Sequence, residues 1–302
     1  MAHLKNLQAS RNHFGKKRRV RGNDFIIIRL NLGGTIMKLE VIVSTLNCTD
    51  YKQLYKDMNL DTDAIIVNQA EYSQLVTEKL NYESVSIYGM TFFEKGVGLS
   101  RNSGFMRSRA DICIMADDDM VYVDNYAEII QQAYKKYSDA DMLIFNVRIH
   151  QNGNITKKVK KNSRVRIWNY QKYGTVTFTF KRQSILRHRI SFSLLFGGGT
   201  GNGSGEDSLF LSDVLKKKMK VYAIKDIIAD VYNEESSWFT GYNEQFLEQK
   251  GALFFQINKR FYKLLLWQFV IRRGKLFKGL GKSKFQLYKI MKRGGRKFAD
   301  KK

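Results

Sequence analysis

The chain contains no proline, so every chain reversal falls to Gly, Asn, Asp or Ser rather than to a locked φ. Cysteine is nearly as scarce, with only Cys48 and Cys113. Two thiols cannot staple a chain of 302 residues, which excludes a disulfide framework and fits a reduced, cytoplasmic protein. Cys113 lies in an apolar run, where a free thiol behaves as a small hydrophobe. Long apolar runs are also missing. The best, Leu264 to Ile271, is far short of the roughly twenty residues a membrane-spanning helix needs. Phe25 to Ile28 is too short for the apolar region of a secretory signal, and no small-residue cleavage site follows. There is no internal repeat.

Acids are outnumbered, 28 against 52 Lys and Arg, for a formal charge of +24. The imbalance would suggest nucleic-acid binding if it were spread evenly. It is not. Residues 255–302 hold 16 basic residues against Asp300 alone, a net of +15, and residues 1–36 hold 8 against Asp24, a net of +7. The intervening stretch therefore carries only +2.

In that near-neutral stretch, Asp117, Asp118 and Asp119 end the apolar run Ile112 to Ala116. A short continuous run of this kind reads as a strand buried on both faces of a parallel sheet. Ligands in such sheets bind beyond the carboxyl ends of the strands, where these acids fall. Three adjacent carboxylates repel one another unless solvated or bridged by a cation, and their hard oxygens suit Mg2+ or Mn2+. An acidic turn capping the next helix, Val123 to Tyr137, is the simpler alternative.

About ninety residues later, the glycine-rich stretch Gly197 to Gly205 precedes Glu206 and Asp207, which open a helix with apolar periodicity. Glycines allow positive φ and close backbone approach, so this loop reads either as a cover over a substrate or as a flexible linker. A carboxylate at its hinge has the chemistry of a general base.

Four segments in order carry a resemblance: Leu39-Glu-Val-Ile-Val-Ser-Thr-Leu-Asn47, Gly98-Leu-Ser-Arg-Asn-Ser-Gly104, Ala116-Asp-Asp-Asp119 and Gly205-Glu-Asp207. Each is degenerate, but their order and spacing make the chain, over about residues 38 to 255, resemble glycosyltransferase family 2, the inverting enzymes with the GT-A fold. The resemblance implies a nucleotide-diphosphate sugar as donor, a UDP-sugar first, and a saccharide or lipid-linked acceptor in bacterial surface polysaccharide or glycolipid synthesis. It implies that Asp117 and Asp119 bind the diphosphate and its metal, with Asp118 able to share that work. Asp207 would deprotonate the acceptor, and Glu206 would orient it. Ser44, Thr45 and Arg101 would lie near the nucleotide. Asn68 and Gln69 stand where the family often has an acid that reads the base. No histidine follows His188, so the late histidine of many relatives has no counterpart. His188 itself reads as part of a solvated helix face. Gly205 and Trp238 are candidate acceptor contacts, Trp238 because aromatics stack on sugar faces. Core packing is its alternative.

Periodicity supplies an α/β expectation. Strands are predicted at Leu39 to Ser44, Ala64 to Asn68, Ser84 to Tyr88, Ile112 to Ala116, Met142 to Arg148, Arg164 to Trp168, Thr175 to Phe180 and Met219 to Ile224. Helices are predicted near Tyr51 to Met58, Tyr72 to Leu80, Gly98 to Arg109 and Val123 to Tyr137. The expected architecture is a GT-A mixed sheet flanked by helices over residues 37–235, with a basic, aromatic-rich helical segment over 236–302. Cations interleaved with Phe261, Leu264, Trp267, Phe269 and Phe285 suit an anionic membrane surface, making the protein peripheral. The alternatives are packing against the core, a disordered tail or nonspecific nucleic-acid binding.

Before Met37, the residues Leu-Gly-Gly can be back-translated to contain AGGAGG, a bacterial ribosome-binding sequence. The expectation is that Met37 is the natural start and residues 1–36 an upstream leader. Abundant native peptides from Ala2 to Arg21 would sink it. Two other classes complete the reading. A sugar nucleotidyltransferase should carry a glycine-rich basic loop after its first strand, and Ser44 to Asp50 has no glycine. A nonenzymatic nucleic-acid-binding protein leaves both acidic motifs unexplained.

Overall fold

The computed structural model describes residues 36–79, 85–151, 154–232 and 241–300. Residues 1–35 and Trp238, and with them the leader and stacking expectations, lie outside these. The first half runs β1 (Leu39–Leu46), α1 (Tyr51–Asp57), β2 (Asp63–Gln69), β3 (Gln74–Lys79), β4 (Ser86–Phe92), α2 (Val97–Arg107), β5 (Ile112–Asp117), β6 (Met120–Tyr122), α3 (Tyr126–Lys136) and β7 (Met142–Gln151). The second half runs β8 (Asn154–Thr156), β9 (Ser163–Arg164), β10 (Phe178–Lys181), α4 (Arg182–Arg187), α5 (Glu206–Lys216), β11 (Val221–Tyr232), α6 (Glu244–Ile257), α7 (Tyr262–Arg273) and α8 (Lys284–Asp300).

The strands form one mixed sheet in the order β3-β4-β2-β1-β5-β10-β7-β11-β6, with β8 on β7 and β9 on β11. The strands β4, β2, β1 and β5 are parallel, and β10 is antiparallel to both β5 and β7. Both faces of the parallel part are covered. Val41, Val43 and Ile114 pack into one apolar layer, and Ile42, Cys113 and Met115 into the other. The continuous apolar runs read from sequence therefore have their physical cause: alternate side chains enter two cores. Aligned parallel strands place the carboxyl ends of β1, β2 and β5 together.

Several sequence expectations are corrected. In place of the helix expected over Tyr72 to Leu80, Gln74–Lys79 is an edge strand antiparallel to β4. Val76 and Thr77 are β-branched and suit a strand, and pairing with β4 outweighs the helix-like spacing of Tyr72, Leu75 and Val76. The helix expected from Val123 begins at Tyr126, because Met120–Tyr122 pairs with β11 first. Of the stretch expected from Arg164 to Trp168 only Arg164 is strand, following Ser163 in the two-residue β9, and Trp168 lies exposed in a turn. Thr175–Thr177 forms a single 3-10 turn before β10. Strand β11 starts at Val221 and extends to Tyr232, well past Ile224.

The C-terminal segment is helical as expected, yet much of its apolar content is internal. Phe254, Tyr262, Leu266, Val270, Leu287 and Met291 share a core with Phe196 and Leu209 from the preceding region. Helices α6 and α8 meet backbone to backbone: a Cβ on Gly251 would run into the Met291 carbonyl oxygen, and one on Gly294 into that of Glu248. None of the described helices is long and apolar enough to cross a membrane.

Candidate active site

The register of β1 on β5 sets Ser44 opposite Asp117. One residue further, the Thr45 hydroxyl donates to Asp118 Oδ2 at 2.6 Å. The Ser100 hydroxyl of α2 donates to Ser44 Oγ at 3.1 Å, tying that helix to the same strand end. Asn68 is fully buried at the end of β2, and its amide clamps the following loop. It accepts from the Cys48 backbone N–H at 2.8 Å and donates to the Cys48 carbonyl at 3.0 Å. Asn68 thus shapes the β1–α1 loop.

Arg101 is the centre of the arrangement. Its guanidinium is almost entirely buried, donating through Nη2 to Asp117 Oδ1 and through Nη1 to Glu206 Oε1, both at 2.8 Å. It also lies 5.7 Å from the centroid of Phe192, which stacks on Phe210. One side chain therefore joins the acidic end of β5 to the start of α5. A rigid donor fork suits the two carboxylates better than an ammonium.

Burial is the largest influence on the acids. It pushes the Asp119 carboxyl up to about 7, helped by repulsion from Asp117 and Asp118. Asp119 Oδ1 is buried and makes no hydrogen bond among the described residues. Asp118 is exposed at its edge, yet the protein packed around it still raises its carboxyl, the Thr45 hydroxyl opposing the effect and Asp117 adding to it. Glu206 is raised by burial first and Asp207 second, against the pull of Arg101.

The loop before α5 is neither a linker nor an open flap. The Thr200 hydroxyl donates to Gly197 O at 2.8 Å, the Asn202 amide to Leu195 O at 2.9 Å, and Val97 N to Gly198 O at 2.9 Å. Gly197, Gly199 and Gly205 all have positive φ, which is why this tight turn needs glycine. Behind it stands α6: the Gln249 amide reaches Gly201 O, Lys250 Nζ reaches Ser204 Oγ at 3.3 Å, and Leu253 fills the space where a Gly205 side chain would be. Gly205 is thus a packing point.

Glu206, expected to meet the acceptor, has its oxygens taken by Arg101 and by the Gly205 backbone N–H, leaving Asp207 beside it. Gly174 faces Asp207, where a Cβ would lie 3.6 Å from Oδ2. Sequence reading missed Lys158 and Lys250, whose ammonium groups are lowered by desolvation and supported by the charge of Asp207, with Glu206 also supporting Lys250. No local pattern marks them, because they come from a loop and from a later helix.

A cavity of about 260 Å3 opens at the carboxyl ends of β1 and β2, lined by Asn47, Thr49, Ala70, Glu71 and Tyr72. Glu71 and Tyr72 were overlooked beside Asn68 and Gln69. A larger cavity, about 560 Å3, lies between α3 and β11 among Asn125, Ile129, Lys136 and Asp226, and none of the site acids lines it. The described residues contain no group of three or more His, Cys, Asp or Glu arranged to hold a metal. His150 is held by Asp230 at 2.6 Å, and His188 sits at the end of α4 with Nδ1 2.8 Å from Ser184 O. Asp117 and Asp119 are hard donors, and the unpartnered Asp119 oxygen and the mutual repulsion fit a dication whose shell a ligand completes.

No known family profile and no curated protein matches the chain. Solved structures do. The chain is similar to S. aureus TarS 1–349 in complex with UDP-GlcNAc, with TM-score 0.56 and 16% identity over 78% of this chain and 72% of that one. It is also similar to TarS 1–349 alone, with TM-score 0.52 and 14% identity over 73% of this chain and 65% of that one. A third similar structure is the longer S. aureus TarS chain, with TM-score 0.54 and 15% identity over 78% of this chain. This chain spans 43% of that longer one. At such identities the likeness speaks for architecture: the protein has the mixed sheet flanked by helices of GT-A-like glycosyltransferases.

Proposed function

We propose that the protein is a metal-dependent, inverting glycosyltransferase of the family 2 type, moving a sugar from a UDP-sugar to a hydroxyl of a saccharide or lipid-linked acceptor in bacterial surface polysaccharide or glycolipid synthesis. The observation that carries this reading is Arg101, which brings Asp117 and Glu206 together at the carboxyl edge of the sheet, next to Asp207. The similar TarS structures hold UDP-GlcNAc and UDP, which supports a uridine nucleotide as the donor's carrier.

On this reading the base enters the cavity beside Tyr72 and Glu71, stacking on the ring and offering an N–H to the carboxylate. Asp117 and Asp119 would hold Mg2+ or Mn2+, which would offset the charge building on the leaving diphosphate. Thr45 orients Asp118 as Arg101 orients Asp117, and Asp118 would share the binding of the diphosphate. Asp207 takes the proton of the acceptor hydroxyl as its oxygen attacks the anomeric carbon from the side opposite the diphosphate, so an α-linked donor gives a β-linked product. Glu206 is a positioning residue that holds Asp207 at the start of α5 through Arg101. The acceptor approaches past Gly174, Lys158 and Lys250.

The test is a thermal-shift screen of UDP-, GDP- and dTDP-sugars with Mn2+ or Mg2+, run in parallel on Asp117→Ala/Asp119→Ala. A metal-dependent shift with one nucleotide, absent in the variant, is the expected result. Folded protein that shifts with no donor would overturn the proposal.

A further inference from the structure

The apolar residues of the C-terminal helices divide into two sets. One is buried in the shared core. The other faces outward on α7 and the start of α8: Leu264 is 66% exposed, Ile271 64% and Phe285 54%. Leu264 and Ile271 are two helical turns apart and so lie on one face. Trp267, between them in sequence, stacks on Phe285 with centroids 6.3 Å apart, which joins the two helices into one patch. Phe261 extends it at the N-terminal end of α7 and is also about half exposed.

The charges divide in the same way. No acid occurs between Glu248 and Asp300. Glu244 and Glu248 are matched by Lys282, Arg293 and Lys297. Around the apolar patch, Arg260, Lys263, Arg272, Arg273 and Lys275 make no ion pair among the described residues, and Lys289 lies over the Phe285 ring at 4.6 Å. An outward apolar strip flanked only by cations needs a partner that is anionic at its surface and apolar just beneath. A second copy of this chain would set like charges face to face. A nucleic acid would match the cations and gain nothing from Leu264 and Ile271.

We propose that this face of α7 and α8 docks on an anionic lipid bilayer, Leu264, Ile271 and Phe285 entering the headgroup layer while the flanking Lys and Arg pair with lipid phosphates. The inference is independent of the donor chemistry. It bears on the acceptor, because α6 of the same helical unit backs the glycine loop through Lys250 and Leu253.

Sedimentation of the full chain with phosphatidylcholine vesicles, with and without phosphatidylglycerol, tests it, together with binding to a random-sequence RNA. Wild type should bind only the anionic vesicles. Leu264→Ser/Ile271→Ser, both exposed positions, should bind them about tenfold or more weakly, with an unchanged melting curve and unchanged RNA binding. Arg272→Glu/Lys275→Glu should weaken both. Asp117→Ala/Asp119→Ala should bind vesicles as wild type does, so failure of the donor reading would be visible separately. Absence of vesicle binding, or full binding by folded Leu264→Ser/Ile271→Ser, would overturn the proposal. RNA binding alone would assign the charge to nucleic acid instead.

Discussion

Arg101 Nη1 lies 2.8 Å from Glu206 Oε1, across 105 residues of sequence. The same guanidinium holds Asp117, so the end of β5 and the start of α5 cannot move independently. Two motifs that are each ambiguous alone become one site because a buried cation lies between them.

Removing that cation strands two carboxylates. Arg101→Met should cost about 3–5 kcal/mol, as for other broken buried pairs, because Glu206 keeps its burial and loses its partner. Arg101→Lys should recover only part, since an ammonium cannot reproduce the fork. Urea denaturation of the three proteins measures this. A loss under about 1 kcal/mol for the Met variant would show the contact to be solvated.

Asp119 gives a pH dependence whose sign can be worked out. Its folded value is about 7 against an ordinary 3.8, so between these values the folded state binds the proton more tightly than the unfolded chain. Stability is therefore highest when the acid is protonated and falls as pH rises from about 4 to about 7. Asp119→Asn should melt above wild type at pH 8, by about 2–4 °C for each kcal/mol relieved, and the gap should close toward pH 4. A gap that does not depend on pH would contradict the assignment. On the proposed metal role, Mn2+ competes with the same proton, so its stabilising effect on wild type should strengthen through pH 7.

The two acids at the start of α5 should separate in mutation. Asp207→Asn should keep the donor-induced thermal shift and lose transfer by roughly a hundredfold to ten-thousandfold, as expected for a general base. Glu206→Gln should also lower the melting temperature, because it weakens the grip of Arg101. If both variants melt alike and lose activity alike, the division of labour is wrong.

Tyr72→Ala tests the nucleotide cavity. Loss of a base-stacking ring is worth roughly 1–3 kcal/mol, so UDP should bind about five- to a hundredfold more weakly by calorimetry. Tyr72 is half exposed, so folding should be unaffected. Unchanged UDP affinity would move the base elsewhere.

Gly251→Ala should destabilise the C-terminal helices, since its Cβ would run into the Met291 carbonyl and overpacking costs about 1–3 kcal/mol or more. Gly279→Ala, with open space around it, is the control. Hydrogen exchange across α6 and α8 reads the difference.

The sequence by itself determined the buried parallel strands and the acids at their ends, because continuous apolar runs and adjacent carboxylates are local patterns with local physical causes. It also determined that the charge belongs to the chain ends. Only the tertiary structure decided that Arg101 spans both motifs and that Asn68 is spent on the Cys48 loop. It also decided that Gly197, Gly199 and Gly205 are points of close packing, since partners such as Val97, Gly96 and Leu253 come from distant segments. The edge strand Gln74–Lys79 was hidden for the same reason: its spacing suits either period, and pairing with β4 settles it. Gly294 and Gly295 look like a loose basic tail in sequence. Folded, they let two helices touch, because a close approach of backbones depends on what lies opposite, and that is never written in the local sequence.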